Sequence, residues 1–198
     1  MPLGCLLTLS PYLFFGLVLT LLACGVFVFY NFNVDLFGIG APDFSSLTID
    51  SYFEQIQSED GSWTIQYEFA DETTFAGKVR HVSPIRLEMV PFLTHDILVT
   101  AGDYANPEKV NTSVVNHHFR WISRINAQPR GTINLLHTVP VDDETYHQLL
   151  EIRSDQEVVI RGQEILVIEA FDREGKLRGN WRDTGCNTLL VTSVTIVK

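Results

Sequence analysis

The sequence has no charged side chain before Asp35 and no lysine or arginine before Lys78. A cleaved signal peptide normally begins with a basic segment, so this absence argues against a removed leader. Residues 11–32 form one continuous apolar run instead. About twenty helical residues at roughly 1.5 Å each cross a hydrocarbon core of about 30 Å. We therefore predict an N-terminal transmembrane helix at 11–32, preceded by a tail at 1–10.

Small side chains recur along one face of that predicted helix. Gly16, Thr20 and Cys24 are spaced four residues apart, a pattern typical of helices that pack against another helix in a membrane. No basic residue flanks the helix, and the acidic residues that follow it favour export of the next segment across the membrane. We predict a single-pass plasma (inner) membrane protein, exposed to membrane lipid, with its soluble domain on the exported side.

Cysteine and positive charge are both scarce. Of the three cysteines, only Cys186 falls within the predicted domain, so a disulfide inside that domain is excluded. The sequence has 14 lysine and arginine residues and 24 acidic residues, which gives a formal net charge of −10. An acidic surface repels phosphate backbones, and we therefore predict no nucleic-acid partner.

After a juxtamembrane linker at 33–47, residues 48–198 suffice for one soluble β-rich domain with its own core. Apolar and polar residues alternate there with the period of two that indicates half-buried strands. The predicted strands are 63–69, 75–82, 87–90, 96–100, 118–125, 132–137, 157–161, 165–171, 177–181 and 189–197. A short helix is predicted at 48–57, and a second helix begins after Asp142 as its N-cap.

Many short strands with one inserted helix predict a mainly β fold, built as a small OB-like β-barrel. Gly162 lies where two predicted strands meet, and a glycine there permits the sharp coiling of a barrel corner. A β-sandwich is the alternative architecture.

Four stretches of the domain carry a resemblance: DILVTAGDYANPE, HHFRWIS, NLLHTVP followed by the helix and EVVIRGQEILVI, and NWRDTGCNTLLVTSV. From about Phe75 onward, their order resembles a family of uncharacterised bacterial proteins that join an N-terminal membrane helix to one compact β-rich domain. The positions that match the family's pattern are His137, Pro140, Gly162, Asp183, Thr184, Gly185 and Cys186. The family commonly has a Trp-Gly pair where this chain has Ala101-Gly102. The resemblance implies no activity.

Cys186, His137 and Asp183 are the residue types of a nucleophile, a base and an orienting acid. Asp183, Thr184 and Gly185 are also typical of a tight turn, after which Cys186 would pack as a small buried side chain. We favour the turn and predict no catalytic residue. The trio supports only an alternative function, a membrane-tethered thiol hydrolase.

His95, Asp96, His117 and His118 are metal-ligand residue types. Adjacent histidines on a strand point to opposite faces, so His117 and His118 do not easily bind one ion. We predict ordinary surface or capping histidines, no metal site and no cofactor.

A dedicated anchor, a compact domain and no convergent catalytic set favour a non-enzymatic accessory or interaction subunit of a membrane protein assembly. Its predicted partners are other membrane or envelope proteins, contacted through the helix and the domain. The alternatives are the thiol hydrolase and a barrel that binds a small ligand or lipid.

Overall fold

The structure is a computed structural model, and the chain in it divides into two compact units, Met1–Ala41 and Pro42–Lys198. It describes residues 15–16, 18–20, 54–58, 61–67, 71–87, 90 and 92–197, with the backbone alone at 54–58, 61–63 and 66–67. In the first unit the described residues are helical, and the Thr20 hydroxyl donates to the Gly16 carbonyl at 2.8 Å. Among the described residues, no helix combines the length and apolarity that crossing a bilayer requires. The predicted tail, Cys24, the linker at 33–47 and most of the predicted span lie outside the described residues.

The second unit is mainly β, as predicted. Its strands are β1 Glu54–Ser58, β2 Gly61–Tyr67, β3 Thr73–Pro84, β4 His95–Thr100, β5 Val110–Val115, β6 His118–Ser123, β7 Ile133–Pro140, β8 Glu157–Asp172, β9 Leu177–Arg182 and β10 Asn187–Val197. A 3-10 turn, Gly102–Ala105, follows β4, and one helix, α1 Asp143–Glu151, lies between β7 and β8. The predicted helix at 48–57 is wrong over 54–57, because this segment is strand β1 and pairs with β2.

Five strands are paired in a closed circuit. β3 pairs with β4, β4 with β7, β7 with β10, β10 with β8, and β8 again with β3. The β7–β10 pair is parallel and the other four pairs are antiparallel. β2 and β9 pair with the second half of β8, and β1 extends the sheet beyond β2.

β8 is one strand of 16 residues, so the prediction of two strands that meet near Gly162 is wrong. Its neighbour changes there: Gly162 pairs with Thr73 of β3, whereas Ile165 pairs with Tyr67 of β2. A Cβ atom on Gly162 would lie 2.0 Å from the carbonyl oxygen of Leu190 in β10. The backbones of β8 and β10 therefore approach more closely than any side chain at this position permits.

α1 begins where the sequence predicts. The Asp142 carboxylate accepts a hydrogen bond from the Thr145 backbone N–H at 2.7 Å, which satisfies one of the free donors of the first turn. Leu149 is fully buried and belongs to the same apolar cluster as Leu136 and Val158. The helix thereby covers β7 and β10. β4 is buried at every residue, so other parts of the chain cover both of its faces.

β5 and β6 form a separate two-stranded sheet, which we call the ribbon. Asn116 and His117 connect its strands, with φ values of 51° and 63°. Two consecutive positive φ angles are the geometry of the tight turns that match the twist of a β-hairpin. The ribbon therefore ends in a turn whose second residue is a histidine.

Candidate functional site

Asp96 and His137 lie directly opposite each other on the antiparallel strands β4 and β7. Side chains of directly opposed residues point to the same face of a sheet. Nδ1 of His137 donates to Oδ1 of Asp96 at 2.7 Å, and both side chains are almost completely buried. The strand register alone thus produces a buried carboxylate–imidazole pair.

The ribbon turn supplies a second imidazole to the same carboxylate. Nδ1 of His117 donates to Oδ2 of Asp96 at 2.8 Å, and the His117 side chain is 35% exposed. Left-handed backbone at a non-glycine residue costs free energy, and the contacts of the folded chain hold it in place. Asp96 therefore joins the tip of the ribbon to β7 through one carboxylate.

Trp181 of β9 packs edge-on against both imidazoles, with ring centroids 6.0 Å from His117 and 5.1 Å from His137. Its Nε1 donates to the Thr188 hydroxyl at 2.9 Å, and that hydroxyl donates to Oδ2 of Asp183 at 3.2 Å. This chain of hydrogen bonds fixes the indole ring. The sequence gives no sign that Trp181 belongs to a site, because an aromatic residue in an alternating strand pattern predicts only a side chain packed against the sheet.

A pocket of about 220 Å³ opens beside these groups. Its lining residues are Asn116, His117, His118, His137, Trp181, Arg182, Asp183, Thr184 and Cys186. In the sequence, two candidate sets stand apart, one around His117 with Asp96 and one around His137 with Cys186. The structure brings members of both sets to one pocket.

Residues 183–186 form the connection from β9 to β10. Oδ1 of Asp183 accepts hydrogen bonds from the backbone N–H groups of Gly185 at 3.0 Å and of Cys186 at 2.7 Å. Gly185 has φ 127°, which side-chain-bearing residues rarely adopt. The Asp183 carboxylate is thus occupied by its own turn and by Thr188.

The Cys186 thiol is not activated. Its Sγ donates to the backbone carbonyl of His117 at 3.7 Å. Burial raises the pKa of Cys186 to about 11, and the negative charges of Asp183 and Asp96 act in the same direction. A nucleophilic cysteine needs the opposite environment, one that stabilises the thiolate. Asp183 therefore opposes the role that the alternative hydrolase mechanism assigns to Cys186.

Cys186 should react slowly with alkylating agents. In full-length protein carrying Cys5→Ser and Cys24→Ser, we expect iodoacetamide near neutral pH to modify the folded protein about 100-fold more slowly than the urea-unfolded protein, because the thiolate fraction falls by that factor. Mass spectrometry against time measures both rates. Equal rates in the folded and unfolded states would contradict the raised pKa.

The remaining histidines of the strands differ in exposure. His95 is 3% exposed and packs near Tyr146, so the expectation of a surface histidine is wrong there. Burial lowers the pKa of His95 to about 4, with the charge of Asp96 opposing the shift. Burial also lowers the pKa of His81, whose Nε2 is hydrogen-bonded to the Ser83 hydroxyl at 2.9 Å. His118 is exposed and begins β6.

No protein-family model matches this chain, and no curated protein matches it.

Proposed function

We infer that this protein is a single-pass, membrane-anchored and non-enzymatic accessory subunit, whose domain binds another protein of a membrane or envelope assembly. The anchor at 11–32, the plasma-membrane location and the exported side rest on the sequence. The binding role rests on the domain, and on the exposed apolar residues of the ribbon above all.

An OB-like barrel is the architecture that best accounts for the five-strand circuit. β3 pairs with both β4 and β8, which leaves no free edge among the five strands. Among these five strands, α1 lies between the third and the fourth in chain order, β7 and β8, which fits the same architecture. OB folds bind ligands on their second and third strands and on the loop before the last strand. Here these elements are β4, β7 and the 183–186 connection, which meet at Asp96, His137 and the pocket.

The ribbon carries the proposal of a protein partner. Ile122 is 67% exposed, and Val115 on the same face of the ribbon is 55% exposed. Trp121 lies on the opposite face, is 38% exposed and packs edge-on against Tyr104. Exposed aromatic side chains such as that of Trp121 are enriched among the anchors of protein interfaces, and exposed aliphatic side chains such as that of Ile122 are stabilised by burial. Asn116, His117 and His118 at the ribbon turn also line the pocket. A partner that covers the turn of the ribbon would therefore also contact the pocket rim.

The alternatives have less support. The hydrolase needs an activated thiol, whereas burial and two carboxylates raise the pKa of Cys186 to about 11. A ligand inside the barrel needs space between the strands. Val79, Ile97, Leu136 and Val158 are almost fully buried there and belong to one packed cluster.

Site-specific photo-crosslinking in native membranes tests the proposal. A benzophenone amino acid replaces Ile122 in one variant and Leu177 in the control, since Leu177 is 49% exposed but lies on β9 of the main sheet. We expect illumination to give a discrete cross-linked protein from position 122 and none from position 177. The absence of a cross-link from position 122, or equal cross-linking from both positions, would contradict the proposal.

A further inference from the structure

We propose that Asp96, His117 and His137 bind one divalent first-row transition-metal ion beside the pocket. The proposal concerns this cluster alone and is independent of the proposed partner protein. It also departs from the expectation, drawn from the sequence, that these residues form no metal site.

The donor atoms already converge. One ligating atom from each of the three residues lies within 4.8 Å of the other two. The Asp96 oxygens lie 2.7 and 2.8 Å from the two Nδ1 atoms. Ligands bound to one metal at about 2.0 to 2.2 Å lie roughly 3 Å apart, so small side-chain rotations suffice to admit an ion. The ion would take the place of the two hydrogen bonds, and each neutral ring would carry its proton on Nε2 instead.

Burial of the carboxylate provides the electrostatic reason for a cation. The Asp96 side chain is only 4% exposed, and its ion-pair partners within the described part of the chain are the two imidazoles. A histidine compensates the charge of a carboxylate only when it is protonated. An uncompensated buried carboxylate is costly, and a divalent ion would supply the missing positive charge when both rings are neutral.

The arrangement also resembles a site with room for an exogenous ligand. Three protein ligands leave at least one coordination position open, as catalytic and ligand-exchanging metal sites do. His117 and His137 line the pocket of about 220 Å³, so the site lies beside a space that admits water or a small anion. Trp181 packs against both imidazoles and restricts their rotation. Restricted rings lose little freedom when an ion binds.

The donor set selects the class of metal. Two imidazole nitrogens and one carboxylate oxygen suit Zn²⁺, Fe²⁺, Co²⁺ and Ni²⁺. Ca²⁺ and Mg²⁺ prefer oxygen ligands throughout, and this cluster offers oxygen from one residue only. We therefore expect the site to discriminate strongly against both alkaline-earth ions.

Zn²⁺ binding to full-length, tag-free protein in detergent tests the proposal. Chelator-treated protein is titrated with Zn²⁺ against a chromophoric competitor, and with Co²⁺ while its visible d–d absorption is recorded. We expect one equivalent of each ion to bind, and excess Mg²⁺ or Ca²⁺ not to displace it. His117→Ala removes a direct ligand and should weaken Zn²⁺ binding by at least the roughly 10- to 100-fold that the loss of an outer-shell partner typically costs.

Two further variants separate metal ligation from folding. His147→Ala is the matched control, because His147 is exposed on α1 and lies outside both the cluster and the pocket lining. It should leave Zn²⁺ affinity unchanged, whereas Asp96→Asn, which keeps the shape of the side chain, should weaken it as His117→Ala does. Zn²⁺ should raise the melting temperature of wild type and His147→Ala only. The proposal is overturned if wild type binds Zn²⁺ no more tightly than His117→Ala, if His147→Ala loses as much affinity, or if Ca²⁺ is preferred.

Discussion

Gly162→Ala is expected to lower the free energy of unfolding of the domain by about 3 kcal/mol, at the upper end of the range for overpacked sites. The added Cβ would lie 2.0 Å from the Leu190 carbonyl oxygen and 2.8 Å from its carbonyl carbon. These are backbone atoms of a paired strand, so no side-chain rotation relieves the clash. β8 and β10 must separate where β8 changes its neighbour from β3 to β2. Urea unfolding followed by circular dichroism measures the change.

Gly175→Ala is the control for this experiment. Gly175 has φ 77°, but a Cβ atom there would meet no atom within 4 Å. Its substitution tests backbone strain without a clash and should cost about 1 kcal/mol. A Gly162→Ala protein as stable as Gly175→Ala would contradict the close approach of the β8 and β10 backbones at Gly162.

Acidification is expected to destabilise the domain through His95. Burial lowers the pKa of His95 from 6.5 to about 4 in the folded state. As the pH falls below 6.5, the unfolded chain binds a proton that the folded protein excludes until about pH 4, so stability present at neutral pH is lost. Between about pH 7.5 and about pH 4.5, this one group should remove about 2 to 3 kcal/mol from the free energy of unfolding.

The measurement compares wild type with His95→Leu across this pH range. The variant lacks the titrating group and should lose correspondingly less stability on acidification, whatever its stability at neutral pH. His118→Leu, at an exposed position, should follow the wild-type pH dependence. His81, whose pKa is also lowered by burial, acts in the same direction in all three proteins. Identical slopes for wild type and His95→Leu would contradict the prediction.

Local patterns were sufficient for much of the fold. The alternation around Ile65 predicted β2, and Asp142 predicted the start of α1, because burial and capping are set by residues close in sequence. The predicted helix at 48–57 is wrong over 54–57. Its apolar spacing is short and fits a helix or a strand, and pairing with β2 decides for the strand. Gly162 reads as a break in the sequence, whereas in the structure it permits a close approach within a continuous strand.

The candidate site was predictable only in its parts. Asp96 and His137 are 41 positions apart in the chain and meet through the register of β4 and β7, which no local pattern specifies. From the sequence, the side chain of His117 is expected to point away from that of His118, as adjacent residues on a strand do. His117 lies in a turn with positive φ, and the turn directs its ring to Asp96. Residue types alone therefore identified most of the cluster, and tertiary pairing decided which of them met.

β10 is the last strand of the domain in chain order, and this position affects how the domain folds during synthesis. β10 joins β7 on one side and β8 on the other, so it leaves the ribosome after every strand that it contacts. Before it appears, the apolar residues it covers stay accessible to chaperones and to aggregation, and its pairing with β7 must close a long loop. The nascent domain should thus acquire protease resistance in one late step and not strand by strand.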